Sequence, residues 1–275
     1  MPALVINGVG RAWPLMVKWL DRSWRICATG FCFASFSGAA LAQTLFVFPL
    51  YHLFCANSPE KTRKIRRLQQ KSFAGFVKMM EVLGLIRVTL HNSALLQKAP
   101  GCIVIANHPT LIDVVILFAA LPGANCVVKG ELWRSRFTRG VMRSAGFISN
   151  ENADKLLQGC RSSLADGQAV LIFPEGSRTT AGQSLAFKRG FANVAVRTGA
   201  PLLTAFITCK PLTLVKGEKW YQVPPSRAYI DVYLHEVLEP RDIVDDFDDK
   251  PRAARLLTGY LEQYFEEGLQ RYDRY

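Results

Sequence analysis

Beyond residue 100, short apolar runs alternate with stretches whose apolar positions recur every three to four residues. Cys102–Ala106, Cys126–Lys129, Ala169–Phe173 and Leu202–Thr208 have strand length, while Val114–Leu121, Glu131–Ser144, Ala153–Ala165 and Arg189–Thr198 read as helices. Buried runs separated by helices predict an α/β fold, with a mostly parallel or mixed sheet flanked by helices. Arg87–His91 alternates as a strand does, Ala228–Leu234 reads as a late edge strand, and Arg252–Arg271 as a C-terminal helix. The acidic run 245–249 reads as a solvated loop that begins this last helix. The pattern divides the chain into an N-terminal helical region, residues 1–84, and an α/β domain, residues 85–275.

The N-terminal region follows another rule. Ile26 to Pro59 is 34 residues without Lys, Arg, Asp or Glu. About 20 apolar residues suffice to cross a bilayer as a helix. One tilted crossing fits, as do two shorter helices, broken at Gly38 or Pro49, that dip into one leaflet; a helical hairpin in a soluble core is the third option. The apolar run starts too late and is too long for a cleavable signal peptide. After Glu60, Ile65, Leu68, Phe76, Met79, Met80 and Leu83 recur at helical spacing among Lys64, Arg67, Lys71 and Lys78. This helix suits a lipid interface or the flank of the domain equally well, and Gly84 ends it.

Charge sharpens the picture. The net charge is +12, and residues 1–100 hold 13 basic and 3 acidic side chains, leaving 21 and 19 for the rest. The excess therefore surrounds the apolar segment, which suits membrane lipids with anionic headgroups and argues against nucleic acid as a partner. Basic residues flank the segment on both sides: Arg11, Lys18, Arg22 and Arg25 before it, Lys61, Arg63, Lys64, Arg66, Arg67 and Lys71 after it. This gives no orientation bias and fits a segment with both ends on the cytoplasmic face of an inner or plasma membrane. Trp13, Trp19 and Trp24 have the character of interfacial anchors. The seven cysteines form no CxxC pair and lie mostly in apolar runs, as expected of free thiols in a reducing compartment, with neither a disulfide framework nor a metal site. Nothing in the pattern speaks to oligomeric state.

Candidate chemistry lies where strands end. Cys102–Ala106 runs into Asn107-His108-Pro109-Thr110-Leu111-Ile112-Asp113, and Ala169–Phe173 into Phe173-Pro174-Glu175-Gly176-Ser177-Arg178. In open α/β sheets, active groups gather at the carboxyl ends of strands, so both loops should leave one edge. Histidine is suited to general-base work, and a nearby carboxylate can fix its tautomer. Equally, Pro109 at a first helical position after a polar residue makes NHPTLID a plausible capped helix start, with His108 a satisfied side chain. Gly176 permits close backbone approach, and Arg178 suits a phosphate or carboxylate. No phosphate loop, nucleophile elbow or HExxH zinc pattern is present.

Together NHPTLID and FPEGSR resemble motifs one and three of the glycerolipid (lysophospholipid) acyltransferases, the 1-acyl-sn-glycerol-3-phosphate acyltransferase family. Lys129-Gly130-Glu131-Leu132 resembles that family's Lys-x-Glu-Leu, Phe187–Gly190 its Phe-Lys-x-Gly, and Gly199-Ala200-Pro201 the start of motif four. The resemblance covers roughly residues 85–210. It implies transfer of an acyl group from acyl-CoA or acyl carrier protein, as substrate, to a hydroxyl of a lipid acceptor, with no cofactor or metal. His108 would be the general base, Asp113 its orienting partner, and a backbone N–H near Gly176 an oxyanion donor. Asn107, Lys129, Glu175, Gly176, Ser177 and Arg178 would bind substrate, Arg178 at the acceptor's phosphate. Two departures stand out. Gly146–Asn150 places Asn150 where motif two has an arginine at the acceptor phosphate, and Leu202–Ala205 lacks the proline of motif four. Both spare the base and its partner, so the reaction is expected to be kept and the acceptor to differ from lysophosphatidic acid. A thioesterase or transacylase on the same fold, and a non-catalytic membrane-bound lipid-binding or scaffold protein, are the rival readings.

Overall fold

The computed structural model describes residues 9–54, 59–135, 138–180, 183–245 and 247–272. Seven strands form one mixed sheet: β1 (Ile86–His91), β2 (Ile103–Ala106), β3 (Asn125–Val128), β4 (Ile148–Ser149), β5 (Val170–Ile172), β6 (Leu202–Lys210) and β7 (Ala228–Leu238). Their order is β1-β7-β6-β2-β5-β3-β4, and every pairing is parallel except β6 with β7. The α/β architecture expected from the alternation is therefore present. One expectation is corrected. β7 lies inside the sheet between β1 and β6, where its period-2 burial leaves Ala228, Ile230, Val232 and Leu234 buried. Alternation alone does not separate an edge strand from an interior one.

Ten helices accompany the sheet among the described residues: α1 (Val9–Ala42), α2 (Phe48–Phe54), α3 (Pro59–Val82), α4 (Asp113–Ala120), α5 (Gly130–Arg134), α6 (Arg139–Ser144), α7 (Ala153–Ala165), α8 (Gly190–Thr198), α9 (Pro240–Ile243) and α10 (Lys250–Tyr272). The single helix expected over Glu131–Ser144 is two, α5 and α6, and β4 follows in a segment too short to carry a period. The acidic loop does begin the last helix, with the Asp249 side chain capping the Arg252 N–H at 3.0 Å. Asp246 lies outside the described residues.

The pleat of β2 sorts the core into two layers. Val104 and Ala106 face a cluster that includes Ile65, Phe76 and Met80 of α3 and Phe118 of α4. Ile103 and Ile105 face the other, with Phe191 and Val194 of α8 and Leu257, Leu261 and Phe265 of α10. Of the two settings open to the amphipathic helix, α3 thus takes the flank of the domain, and the core runs across the sequence boundary at residue 84. Even a charged residue of α3 is recruited inward. Arg66 is 5% exposed and donates to the carbonyls of Ala145 (2.6 Å) and Gly146 (3.2 Å), and burial lowers its pKa to about 10. Gly84 closes α3 in the left-handed conformation (φ 74°), with Leu85 N–H bonding back to the Met80 carbonyl.

The apolar run does not break at Gly38, which lies within α1 near its C-terminal end. Disturbance comes instead just ahead of Pro49. Residues Gln43–Val47 form a π-turn in which the Phe48 N–H reaches the Gln43 carbonyl, and α2 continues from there. A proline removes one donor and crowds the preceding turn, and a widened turn accommodates both. Lys18–Tyr51 is long and apolar enough to cross a membrane by length and composition. Its side toward the domain contributes Ala28, Thr29, Cys32 and Phe48 to the interior, while Trp19, Trp24, Phe31, Leu45, Phe46 and Leu50 are exposed. The side chain of Trp13 lies outside the described residues.

Candidate active site

β2 ends at Ala106, and the next residue stitches the site to the sheet. Asn107 is buried; its amide nitrogen donates to the Ile207 carbonyl (2.8 Å) and its oxygen accepts the Ile207 N–H (2.7 Å). An asparagine side chain thereby imitates a strand residue and extends the β2–β6 pairing by one rung. The chain then turns through Pro109 to Ile112 before α4 starts at Asp113, so Pro109 is not the first helical residue as the sequence suggested. This delay brings the carboxylate back under the histidine.

Asp113 is fully buried, and its two oxygens are well used. Oδ2 accepts from the Thr110 N–H (2.6 Å) and faces His108 Nδ1 at 2.9 Å, while Oδ1 accepts the Thr110 hydroxyl. A carboxylate facing Nδ1 assigns the ring proton to that nitrogen and leaves the Nε2 lone pair free to accept one. The His108 ring stacks on Phe173 with centroids 4.3 Å apart, which fixes its plane, and its side chain keeps 16% exposure. A buried anchor, a held ring and an open nitrogen are what a general base requires.

The loop after β5 closes on this group. Glu175 Oε1 accepts the His108 N–H at 2.9 Å and the Thr179 hydroxyl at 2.8 Å, and the Thr179 N–H donates to the His108 carbonyl at 2.7 Å. The two motifs, 60 residues apart in sequence, are pinned backbone to backbone. Burial pushes the Glu175 carboxyl above its ordinary value of 4.5, against the smaller opposing effect of those hydrogen bonds. Glu175 is thus a brace for His108. Gly176 adopts φ 64° and donates its own N–H to the Phe173 carbonyl (3.0 Å). That amide is spent in the turn, so an oxyanion donor in this loop must be another one.

Arg178 has structural partners of its own. Its Nη1 donates to the carbonyls of Leu214 (2.9 Å) and Val215 (2.8 Å), binding the loop that follows β6, and Leu111 N–H joins the same Leu214 carbonyl (3.1 Å). One face of the guanidinium is therefore structural. Ser177 lies beside it, its hydroxyl 3.4 Å from the Lys216 ammonium. Lys129 follows β3 on the same sheet edge, as the N-cap of α5, but is exposed, and among the described residues no hydrogen bond or ion pair joins it to the others. Asn150 accepts the N–H of Gly130, the first residue of α5, at 3.2 Å. Sequence reasoning missed Lys216 and the bracing role of Asn107. A lone lysine in a loop carries no periodic signal, and the Asn107–Ile207 contact joins residues 100 apart.

An apolar cavity of about 250 Å³ lies between α1, α3 and α6, walled by residues such as Phe36, Phe73, Phe76, Met79, Val141 and Met142. Its lining includes none of the residues around His108. Among the described residues no three His, Cys, Asp or Glu side chains come together as metal ligands.

Comparison with known proteins places this geometry. Residues 87–208 match the acyltransferase family model. The chain is 28% identical over 175 residues to a 1-acyl-sn-glycerol-3-phosphate acyltransferase of Helicobacter pylori, covering 60% of this chain and 70% of that protein. It is 27% identical over 147 residues to the human beta enzyme of that name, and the match spans about half of each chain (50% and 52%). In fold it is similar to the crystal structure of the 1-acyl-sn-glycerophosphate (LPA) acyltransferase PlsC from Thermotoga maritima, with a TM-score of 0.63, 20% identity, and coverage of 93% of this chain and 98% of that one.

Proposed function

We propose that this chain, an O-acyltransferase of the 1-acyl-sn-glycerol-3-phosphate acyltransferase family, moves a fatty acyl group from a thioester donor to a hydroxyl of a lysophospholipid-type acceptor at a membrane surface. The donor is acyl-CoA or acyl carrier protein. The observation that carries the reading is the His108–Asp113 pair, 2.9 Å apart, with Asp113 buried and, among the described residues, no hydrogen-bond partner on the second imidazole nitrogen.

In the reaction, Nε2 of His108 takes the proton of the acceptor hydroxyl as that oxygen bonds to the thioester carbon. Asp113 holds Nδ1–H and stabilises the imidazolium that forms. The carbon–sulfur bond then breaks, and the leaving thiolate takes the proton back from the imidazolium. The substrate supplies the attacking oxygen, so no side-chain nucleophile is needed. Thr110 and Glu175 support the step by fixing Asp113 and the His108 backbone.

Membrane attachment rests on the exposed face of α1 and α2. Trp19, Trp24, Phe31, Phe46 and Leu50 present bulky apolar surface, and the opposite side packs on α3. A helix used on both sides in this way favours lying in the interface over crossing alone. The buried free thiols Cys32, Cys102, Cys126, Cys160 and Cys209 fit a cytoplasmic placement. The deciding experiment offers labelled acyl-CoA and labelled acyl carrier protein with a panel of lysolipids and follows both thioester loss and lipid product. Product formed with wild type and lost in His108→Ala supports the proposal. Thioester loss that is indifferent to acceptor would show a thioesterase instead.

A further inference from the structure

The two loops that carry His108 and Glu175 meet a third, residues 211–227, between β6 and β7. They meet at one carbonyl. Leu214 accepts the N–H of Leu111 (3.1 Å), which lies between His108 and Asp113 in sequence, and also Nη1 of Arg178 (2.9 Å). Arg178 in turn precedes Thr179, whose N–H holds the His108 carbonyl. Both loops are thus hung from Leu214, and its backbone is unusual. Among the described residues only Asn92 and Leu214 combine a side chain with positive φ (56° and 52°). Asparagine visits the left-handed region through local hydrogen bonds of its short amide; leucine has none to make, so its conformation is strained. Such strain persists only where the surroundings over-determine it.

Those surroundings include the N-terminal helix. Leu214 is 5% exposed and belongs to the apolar cluster that holds Ala28 and Cys32 of α1 and Met80 of α3. Between α1, α3 and the loop, Arg25, Thr29, Met80, Leu214 and Pro224 enclose a void of only about 10 Å³, so the three elements are closely packed there. Further along, the Trp220 ring lies against Gly30 of α1, 3.1 Å from where a Cβ on that glycine would stand. The end of the loop and the helix also share a turn. Arg227 Nε and Arg25 Nη1 both donate to the Gly84 carbonyl (3.3 Å each), and Trp24 Nε1 donates to the Leu83 carbonyl (3.2 Å). Carbonyls just past the end of α3 therefore bind helix and loop together. Phe31, the residue after Gly30, is 59% exposed, so this frame and the apolar outer surface use different sides of α1.

We propose that Leu214 is a positioning residue for acyl transfer: α1, through Trp220 on Gly30 and the packing at Thr29, holds it in the left-handed conformation that presents its carbonyl to both loops of the site. The role rests on the acyl-transfer reading, yet part of it is visible without substrate. The His108 Nδ1–H facing Asp113 gives a low-field imidazole NMR resonance, identified by its absence in His108→Ala. Full-length wild type, Leu214→Val, Leu214→Met, Trp220→Ala and Trp220→Phe are compared in uncharged micelles. That resonance, the folded fraction by circular dichroism, and transfer from the labelled thioesters to the lysolipid panel are followed together. Valine is branched at Cβ and disfavours positive φ far more than unbranched methionine. Leu214→Val and Trp220→Ala are expected to lower kcat about tenfold or more, with acceptor KM within about twofold of wild type, and to broaden the resonance. Leu214→Met and Trp220→Phe should regain most of both. A Leu214→Val protein with the kcat and sharp resonance of Leu214→Met overturns the proposal. So does a raised KM without loss of kcat, which would make Trp220 a substrate contact, and so does a kcat that falls only in proportion to the folded fraction. If wild type transfers nothing while the resonance still depends on residues 214 and 220, the activity fails and the positioning stands; a resonance indifferent to both residues refutes the positioning whether or not transfer is detected.

Discussion

At the carboxyl end of β2 a carboxylate, Asp113, is withdrawn wholly from water and accepts from three donors. On α1, and in the π-turn that follows it, Trp19, Phe31 and Phe46 are more than half exposed (67%, 59% and 66%). A buried charge and an exposed aromatic are each costly in a soluble protein, and they are costly for opposite reasons. The first is compensated inside the molecule, by Thr110 and His108. The second has no such compensation among the described residues, and under the proposed attachment lipid supplies it. The site's chemistry is thus held by internal hydrogen bonds, while attachment is a property of surface, and the two should fail separately.

The largest expected effect lies in the first region. His108→Ala should lower acyl transfer by about 10²- to 10⁴-fold, the range a general base contributes. Vesicle binding should hardly change, and stability should fall modestly, by about 1–3 kcal/mol at most, because the ring is partly exposed and stacks on Phe173 but also supplies one of the three donors to buried Asp113. Activity near wild type, measured as labelled acyl lipid formed, would remove His108 from the mechanism.

Asp113→Asn should be severe in both activity and stability. An amide places hydrogens where an oxygen now accepts, so one of three donors loses its partner at a buried point. A loss of about 1–3 kcal/mol in unfolding free energy is expected, together with a fall of about a hundredfold or more in turnover from a misdirected tautomer. Denaturant titration and the transfer assay read the two separately. A variant of full activity would mean that the tautomer is set elsewhere.

Crossing to the other region, Phe31→Ser, Phe46→Ser and Leu50→Ser combined should reduce partition into anionic vesicles by at least about tenfold, since each removes apolar surface that lipid would bury. Melting should stay constant, and transfer to a short-chain, water-soluble acceptor should persist. A large drop in melting temperature would instead place this face inside a protein interface.

The regions also differ in how far the sequence announced them. The strand ends carrying His108 and Glu175 were legible because a short apolar run and the residues after it are local pattern, and a sheet's topology then collects them. What local pattern does not carry is whatever depends on distant partners. Asn107 reads as a substrate ligand in a motif, yet both ends of its amide are taken by Ile207, 100 residues later. Arg178 reads as a phosphate ligand, and half of its fork is fixed to a loop 36 residues on. β7 reads as an edge because nothing in its alternation records that β1 pairs on its far side. On α1 the apolar run was plain, whereas the π-turn before Pro49 follows from backbone accommodation that hydropathy does not encode.

The smallest effect separates bracing from catalysis within the site. Glu175 is buried and its carboxyl is raised above 4.5, with burial the main cause. A carboxyl that binds its proton more tightly when folded favours the native state at low pH. That contribution is lost as pH rises from the ordinary carboxylate range through the raised value, above which the ionised group is a standing cost. Glu175→Gln keeps an oxygen able to accept the His108 N–H and the Thr179 hydroxyl, yet has nothing to ionise. It should therefore be as stable as wild type or slightly more so at neutral pH, and its stability should fall less than wild type's between about pH 4.5 and 7. Transfer should drop modestly, by less than about tenfold, because the brace survives the change. Unfolding midpoints across that pH range, for the two proteins side by side, decide the matter. If the profiles run parallel, Glu175 is not the titrating group; if turnover falls as far as in His108→Ala, Glu175 takes part in the chemistry and is no mere support for the histidine.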